Sequence, residues 1–360
     1  MTTLNRRSLM KAVGAAATLS LVGTTAHAAD KVKIGFIFLG PIGDYGWTWA
    51  HNKGREAIDA ALGDKVETIY VENVLEDASA IPVIRDLAQQ GCKLIFTTSY
   101  GFMDQTLTVA AEFPDVKFEH CTGFKRADNV STYNSKFHEG RAVLGTIAGK
   151  MSKSGTLGYL GSYKVPEVVL GVNAFALAAQ KQNPAATVKL VLIDSWFDPP
   201  KEAAATETLI NLGCDIVTTH TDSPGPLQIL EQKGLYGFGQ GADMSAFAPT
   251  AHLTAIEDIW GPYYVARAQA LVDGTWTSAD TWDGMKEGTV VIAPYNPAIP
   301  ADVVALADEI KAGYVAGTYD IFTGPIFDQD GVEKVKAGEV MGLEQLATID
   351  WFVKGVESAS

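Results

Sequence analysis

The sequence predicts an α/β protein built as two doubly wound parallel-sheet lobes, on three observations. From Lys31 onward, short β-branched or aromatic runs alternate with longer stretches of helical period, the pattern of βαβ units around a parallel sheet. That pattern restarts near Thr156, so two similar α/β series stand in tandem with a cleft expected between them. The chain has 360 residues, and even without an N-terminal export segment this is more than one core normally covers.

The first series opens with the apolar run at 32–39 as a strand and a helix over 49–62. A strand at 67–71 follows, then a helix in which Ile81, Ile84, Leu87 and Ala88 recur at three- and four-residue steps. Next come strand 93–98, helix 103–112, and strands at 116–120 and 130–133. A helix over 139–151 leads into the second series: strand 156–160, helix 165–180, strand 187–193, helix 201–212, strand 214–219, a short helix at 226–231 and strand 235–239. Beyond Ala251 the pattern predicts strands at 253–256 and 289–293 and helices at 262–272, 300–312 and 342–354, a region expected to cross back between the lobes. The N-terminal lobe is thus drawn from 29–134 plus part of 256–320, the C-terminal lobe from 135–255 plus part of 285–360.

Residues 1–28 read as an export signal: Asn5-Arg6-Arg7-Ser8-Leu9-Met10-Lys11, an apolar run from Ala12 to Val22, and Ala26-His27-Ala28 as the cleavage site. The paired arginines fit a twin-arginine signal and equally the positive charge of any secretory leader. Cleavage after Ala28 places the product in the periplasm, and with no Cys behind the apolar run no lipid anchor is expected. The remaining chain carries 42 acidic and 25 basic residues, net −17, a poor surface for nucleic acid or anionic lipid. Cys92, Cys121 and Cys214 form an odd set without C-x-x-C spacing and are expected as buried free thiols.

In open parallel sheets, ligands bind beyond the carboxyl ends of the strands. After the first strand comes Gly40-Pro41-Ile42-Gly43-Asp44-Tyr45-Gly46-Trp47-Thr48, neither a dinucleotide fingerprint nor a P-loop. Its counterpart in the second series is Asp194-Ser195-Trp196-Phe197-Asp198-Pro199-Pro200. Trp47 and Trp196 suggest an aromatic clamp on a planar ligand, although each also suits helix-entry packing. Polar groups sit at Thr98-Ser99-Tyr100-Gly101, at Thr219-His220-Thr221-Asp222-Ser223 and at Asp243, where each Asp or Ser equally suits an N-cap. No G-x-S-x-G elbow, H-E-x-x-H motif or clustered histidines occur, so neither a catalytic set nor a metal or other cofactor is expected.

Several segments resemble, in order and spacing across nearly all the exported chain, the basic membrane protein family of substrate-binding proteins serving ABC transporters. They are the strand and Gly-Asp-x-Gly-Trp loop at 31–54, Ala110-Ala111-Glu112-Phe113-Pro114-Asp115-Val116-Lys117-Phe118, Gly155-Thr156-Leu157-Gly158-Tyr159-Leu160-Gly161, Asn173-Ala174-Phe175 to Asn183-Pro184, Ser195-Trp196-Phe197-Asp198-Pro199, and Leu253-Thr254-Ala255-Ile256 with Trp260-Gly261-Pro262-Tyr263-Tyr264. The resemblance implies a type I periplasmic-binding-protein fold, with lobes on hinge strands that close on a small-molecule ligand. It also implies a monomer that delivers this ligand to a permease in the inner membrane and performs no catalysis. Family members resemble purine nucleoside receptors, in which aromatics from each lobe sandwich the base. The sandwich then maps to Trp47 and Trp196, and polar contacts to Asp44, Thr48 and Asp243.

One departure bears on the ligand. Where nucleoside-binding relatives carry a Lys, this chain has Asp258, which replaces donors with acceptors and favours a nucleobase such as adenine over a nucleoside. Asp258 also suits a cap for the helix near Trp260. Tyr100 and Asp222 complete the candidate ligand-binding set. The alternatives are a receptor for a sugar, whose pyranose faces stack on tryptophan equally well, and an exported nucleoside hydrolase using His220, Asp222 and Asp243.

Overall fold

The computed structural model describes residues 31–43 and 45–358; the export signal and Asp44 lie outside the described residues. The first series forms β1 (Val32–Ile37), α1 (Gly46–Leu62), β2 (Val66–Val71), α2 (Ala80–Gln89), β3 (Cys92–Thr97), α3 (Met103–Glu112), β4 (Lys117–Cys121) and β5 (Val130–Ser135). The second runs α4 (Phe137–Met151), β6 (Thr156–Gly161), α5 (Pro166–Gln182), β7 (Thr187–Leu192), α6 (Pro199–Asn211), β8 (Ile216–Thr219), α7 (Gly225–Lys233), β9 (Tyr236–Gly241) and β10 (His252–Asp258). The remainder supplies α8 (Gly261–Val272), β11 (Asp280–Asp283), β12 (Val290–Ile292), α9 (Ala301–Ala316), β13 (Ile326–Phe327), β14 (Glu333–Val335), α10 (Leu343–Ala347) and β15 (Val356–Ser358).

The first sheet has the order β11-β5-β4-β3-β1-β2 and the second β12-β10-β9-β8-β6-β7-β15. Pairing is parallel throughout both except between β10 and β12. Helices cover both faces, so the central strands are buried runs such as Ile34, Phe36 and Ile37 in β1. Phe36 and Phe96 stack at 4.6 Å in the first core, while α4 and α5 carry much of the second through Val143, Ile147, Val172 and Phe175. The chain order reverses beside β1 in the first sheet and beside β6 in the second, which gives each lobe a switch-point crevice at its strands' carboxyl ends. The chain passes between the sheets three times, from β5 into α4, from β10 into α8, and from β11 to β12.

Element order follows the periodicity closely, and the three cysteines are buried and free. Among the described residues, no helix is long and apolar enough to cross a membrane. The helix expected over 342–354 is a correction: only Leu343–Ala347 is helical. The rest is drawn out straight because Asn173, buried in α5, donates Nδ2 to Trp351 O at 2.9 Å and accepts the Val353 amide at 2.9 Å. Phe352 and Val353 enter the second core beside it, and β15 then joins β7. The strands β11 and β15 were not expected, since each is short and borrows its pairing from a distant strand.

Asn173→Ala leaves two buried backbone groups without partners, and a buried unsatisfied group costs about 1–3 kcal/mol. Chemical denaturation is expected to show a loss of that order, with early proteolysis of the tail beyond residue 342. An unchanged midpoint would refute this account of the tail.

Candidate functional site

The crevices of the two lobes face one another across a narrow cavity. Nearly every lining residue follows the carboxyl end of a strand: Leu39 after β1, Ser99 after β3, Thr122 after β4, Glu167 after β6, Trp196 after β7, and His220 and Asp222 after β8. Trp47 joins them from the first turn of α1 and Gln240 from β9. A second small space shares Trp47, Glu167 and His220 and reaches the crossing strands at Asn134, Ser135 and Trp282. Among the described residues, no lysine or arginine lines either.

The two indoles stand on opposite lobes. Trp47 donates Nε1 to Thr98 O at 2.6 Å and rests edge-on against His51 and Trp260. His51 is itself stacked on Trp260 at 4.8 Å and bonded through Nδ1 to the Tyr264 hydroxyl, and burial holds it well below the usual imidazole range, hence neutral. Trp196 packs against Tyr163 and His220 of its own lobe and donates Nε1 across the cleft to Glu76 Oε2 at 2.7 Å. The lobes meet again where the Trp47 amide donates to Asp222 Oδ1 at 3.2 Å. Gly46 makes that approach possible: its φ is 76°, and a Cβ there would lie 2.8 Å from Asp222 O. These contacts describe a closed cleft.

Behind the lining, buried polar groups set its shape. Arg141 of α4 donates to Thr218 Oγ1 at 2.6 Å, to Thr219 O at 2.7 Å and to Gln240 Oε1, which turns Gln240 toward the cavity. Glu202 of α6 accepts from the Thr221 and Ser223 hydroxyls at 2.9 and 2.6 Å and from the Asp198 amide at 3.0 Å, so the loops after β7 and β8 hang on one carboxylate. His220 meets the Tyr159 hydroxyl at 3.0 Å, and burial lowers its pKa far below the usual range.

Three carboxyls sit in or beside this cleft with raised pKa values. Burial pushes Glu167 up to about 8, with the charges of Glu76, Asp258 and Asp222 adding to it and the Thr122 hydroxyl opposing. Burial likewise raises Asp222 to about 8, aided by Glu202 and Glu76 and opposed by the Trp47 amide. Asp258 rises to about 7 through burial, opposed by the Ser135 hydroxyl and the Arg141 guanidinium.

The structure brings Trp47, Trp196 and Asp222 together at the cavity. Asp258 is buried where β10 leaves the second sheet and borders the groove between α1 and α8. Thr48 is buried beside the Gly40 turn, off the lining, with its hydroxyl unpartnered among the described residues. Tyr100 is partly exposed outside the lining, where burial and then the Glu167 charge raise its phenol. Asp243 lies off the lining, which takes Gln240 from β9. Asp243 lies 3.7 Å from His252 and accepts the Ser245 amide at 2.9 Å. His220, Asp222 and Asp243 therefore do not converge as an acid/base set. Sequence reasoning missed Glu167 and Glu76, although the rule that singled out the other loops applies equally to Ser162–Pro166, after β6. Among the described residues, no group of three or more His, Cys, Asp or Glu is placed to hold a metal.

A protein-family model described as ABC transporter substrate-binding protein, PnrA-like (Bmp), matches residues 31–312. A purine-binding protein of Brucella abortus (strain 2308) is 52% identical over 337 residues, covering 94% of this chain and 96% of that protein. A putative ABC transporter glucose-binding protein of Haloferax volcanii is 31% identical over 304 residues, 84% of this chain and 77% of that protein. Among solved structures, an ABC transporter solute-binding protein from Conexibacter woesei DSM 14684 superposes with a TM-score of 0.65 at 22% identity, covering 80% of this chain and 98% of the other. Another from Aeropyrum pernix K1 gives 0.69 at 16% identity, covering 79% and 92%. Both share the fold, that of the type I periplasmic binding proteins. The chain belongs to the PnrA-like family of ABC transporter substrate-binding proteins.

Proposed function

We propose that this chain is a periplasmic receptor that captures a purine, a nucleobase such as adenine in preference to a nucleoside, between Trp47 and Trp196 and releases it unchanged to an inner-membrane permease. The observation that carries this reading is a small closed cavity walled by an indole from each lobe and by Glu167 and Asp222, with no lysine or arginine lining it among the described residues. The absence of a lining cation disfavours phosphate-bearing ligands, and the acidic walls favour a ligand rich in N–H donors. A carboxyl with a pKa near 8 is largely protonated at neutral pH and presents an O–H donor beside an acceptor. That pair complements a purine edge on which an N–H adjoins a ring nitrogen. The Brucella relative, named for purine binding, supports the same ligand class. The Haloferax relative, named for glucose, keeps a sugar as the competing reading, since facing indoles also suit a pyranose.

Calorimetric titration with adenine, guanine, adenosine, guanosine and glucose separates the readings. Tight binding of a base and weaker binding of its nucleoside is expected; binding of nucleosides alone would overturn the nucleobase assignment, and of glucose alone the purine assignment. Base–aromatic stacking is worth about 1–3 kcal/mol per base, so Trp47→Ala and Trp196→Ala are each expected to weaken adenine binding by about 5- to 150-fold with unchanged circular dichroism. Adenosine incubated with the protein is expected back intact by chromatography; release of free base would make the chain a hydrolase.

The carboxyls also tie capture to pH. In an open, solvated cleft they titrate near pH 4; closed, at about 8 for Glu167 and Asp222 and about 7 for Asp258. Between those limits the closed form holds more protons, so closure takes up protons and is progressively disfavoured as pH rises toward and through about 8. Titrations at pH 7 in buffers of different ionisation enthalpy are expected to report net proton uptake on adenine binding, reduced by Glu167→Gln, with affinity falling between pH 6 and 9. Proton release, or affinity that rises across this range, would contradict the assignment.

A further inference from the structure

Each tryptophan at the cavity is held by a carboxylate from the opposite lobe. Trp196 reaches back 120 residues to donate its indole N–H to Glu76 Oε2 at 2.7 Å. Glu76 lies in the loop between β2 and α2, and its other oxygen accepts the Gly101 amide at 2.8 Å, so the acceptor is aimed from within its own lobe. A Cβ at Gly101 would fall 2.6 Å from Glu76 Cβ, and only the bare backbone lets the two loops meet. Reciprocally, the Trp47 amide of the first lobe donates to Asp222 of the second. The other ring neighbours of Trp196, Tyr163 and His220, belong to its own lobe and leave its N–H to Glu76. Opening the cleft breaks this bond while leaving the core of each lobe intact.

We infer that Glu76 is a positioning residue, which fixes the Trp196 indole over the ligand cavity only when the lobes close and so makes ring placement and closure one event. The inference rests on the cleft being the ligand site. A ligand seated between the indoles would be retained by Glu76 without touching it, and losing that carboxylate would speed ligand escape more than it slows entry.

Adenine affinity by calorimetry and dissociation by stopped-flow tryptophan fluorescence, in wild type, Glu76→Gln, Glu76→Ala, Trp196→Phe and the Glu76→Ala/Trp196→Phe pair, test this. A hydrogen bond to a charged group in a part-exposed setting leads us to expect about tenfold weaker binding in Glu76→Ala, carried by faster dissociation. Glu76→Gln keeps an acceptor oxygen and is expected to retain most of the affinity. Trp196→Phe lacks the N–H, so adding Glu76→Ala to it is expected to change little. Wild-type affinity in Glu76→Ala, or an equal loss from it in both backgrounds, would overturn the inference. A ligand-free arm separates it from the purine reading: nitroxides on Asp64→Cys and Asp302→Cys report the interlobe distance, and Glu76→Ala is expected to shift the distribution toward longer separations. Should wild type bind no purine, the purine reading fails alone, and an unchanged distance distribution is then what overturns the role of Glu76.

Discussion

The burial of acid without a lining base shapes the cleft more than any other feature. Glu167, Asp222 and Asp258 are withdrawn from water, and the one guanidinium near them, that of Arg141, is committed behind the lining to Thr218, Thr219 and Gln240. Isolated buried carboxylates are costly, and the usual outcome is that the group takes up a proton. The raised pKa values of all three express that outcome, and like-charge proximity between Glu167 and both other acids reinforces it. A cleft of this kind is strained by its own charge when it closes empty at high pH and relieved when a ligand brings donors to it. Selectivity and closure therefore draw on the same electrostatic term.

The scaffold around the acids is rigid where they must be held and divisible where the lobes must part. Glu202 gathers the Asp198, Thr221 and Ser223 groups of two second-lobe loops, and Glu119 does similar work in the first lobe by accepting from Tyr263 at 2.7 Å, from Trp276 at 2.6 Å and from Arg267. Both are buried carboxyl groups whose oxygens are met by several donors, the arrangement that leaves buried polar atoms satisfied. Across the cleft, among the described residues, the hydrogen bonds Trp47–Asp222 and Trp196–Glu76 join the lobes, and Tyr45 adds a ring contact to Phe247. Local contacts of this kind open at lower cost than the packed strands and helices of either core.

Much of this was legible in the sequence, and what was hidden was hidden for physical reasons. Alternating strand and helix periods located the elements, and the strand-end rule led to Trp47, Trp196 and Asp222, because parallel sheets aim their carboxyl-end loops at a common crevice. Glu167 escaped because an acid directly after Pro166 reads as an ordinary first-turn residue facing a helix dipole. Its role appears only when the opposite lobe brings Thr122 alongside. Glu76 escaped because its partner is 120 residues away on another lobe, a separation that no local pattern encodes. The expected helix beyond Gly342 failed similarly, where the side chain of Asn173 outcompetes local helical bonding for the backbone at Trp351 and Val353.

The near-symmetry of the two lobes has a consequence for the ligand. Each lobe contributes one indole to the cavity lining, Trp47 behind the first strand of its series and Trp196 behind the second strand of its own, together with polar groups from other strand ends. On the proposed function, a planar solute is what an indole from each lobe would receive. The polar lining is not symmetric: Glu167, Asp222, His220 and Gln240 all come from the second lobe, while Ser99 and Thr122 come from the first. Recognition of functional groups is thereby concentrated on the second lobe. A ligand engaging that lobe first would satisfy its acids before closure, and the first lobe, arriving with Trp47 and Glu76, would complete the stack and retain it.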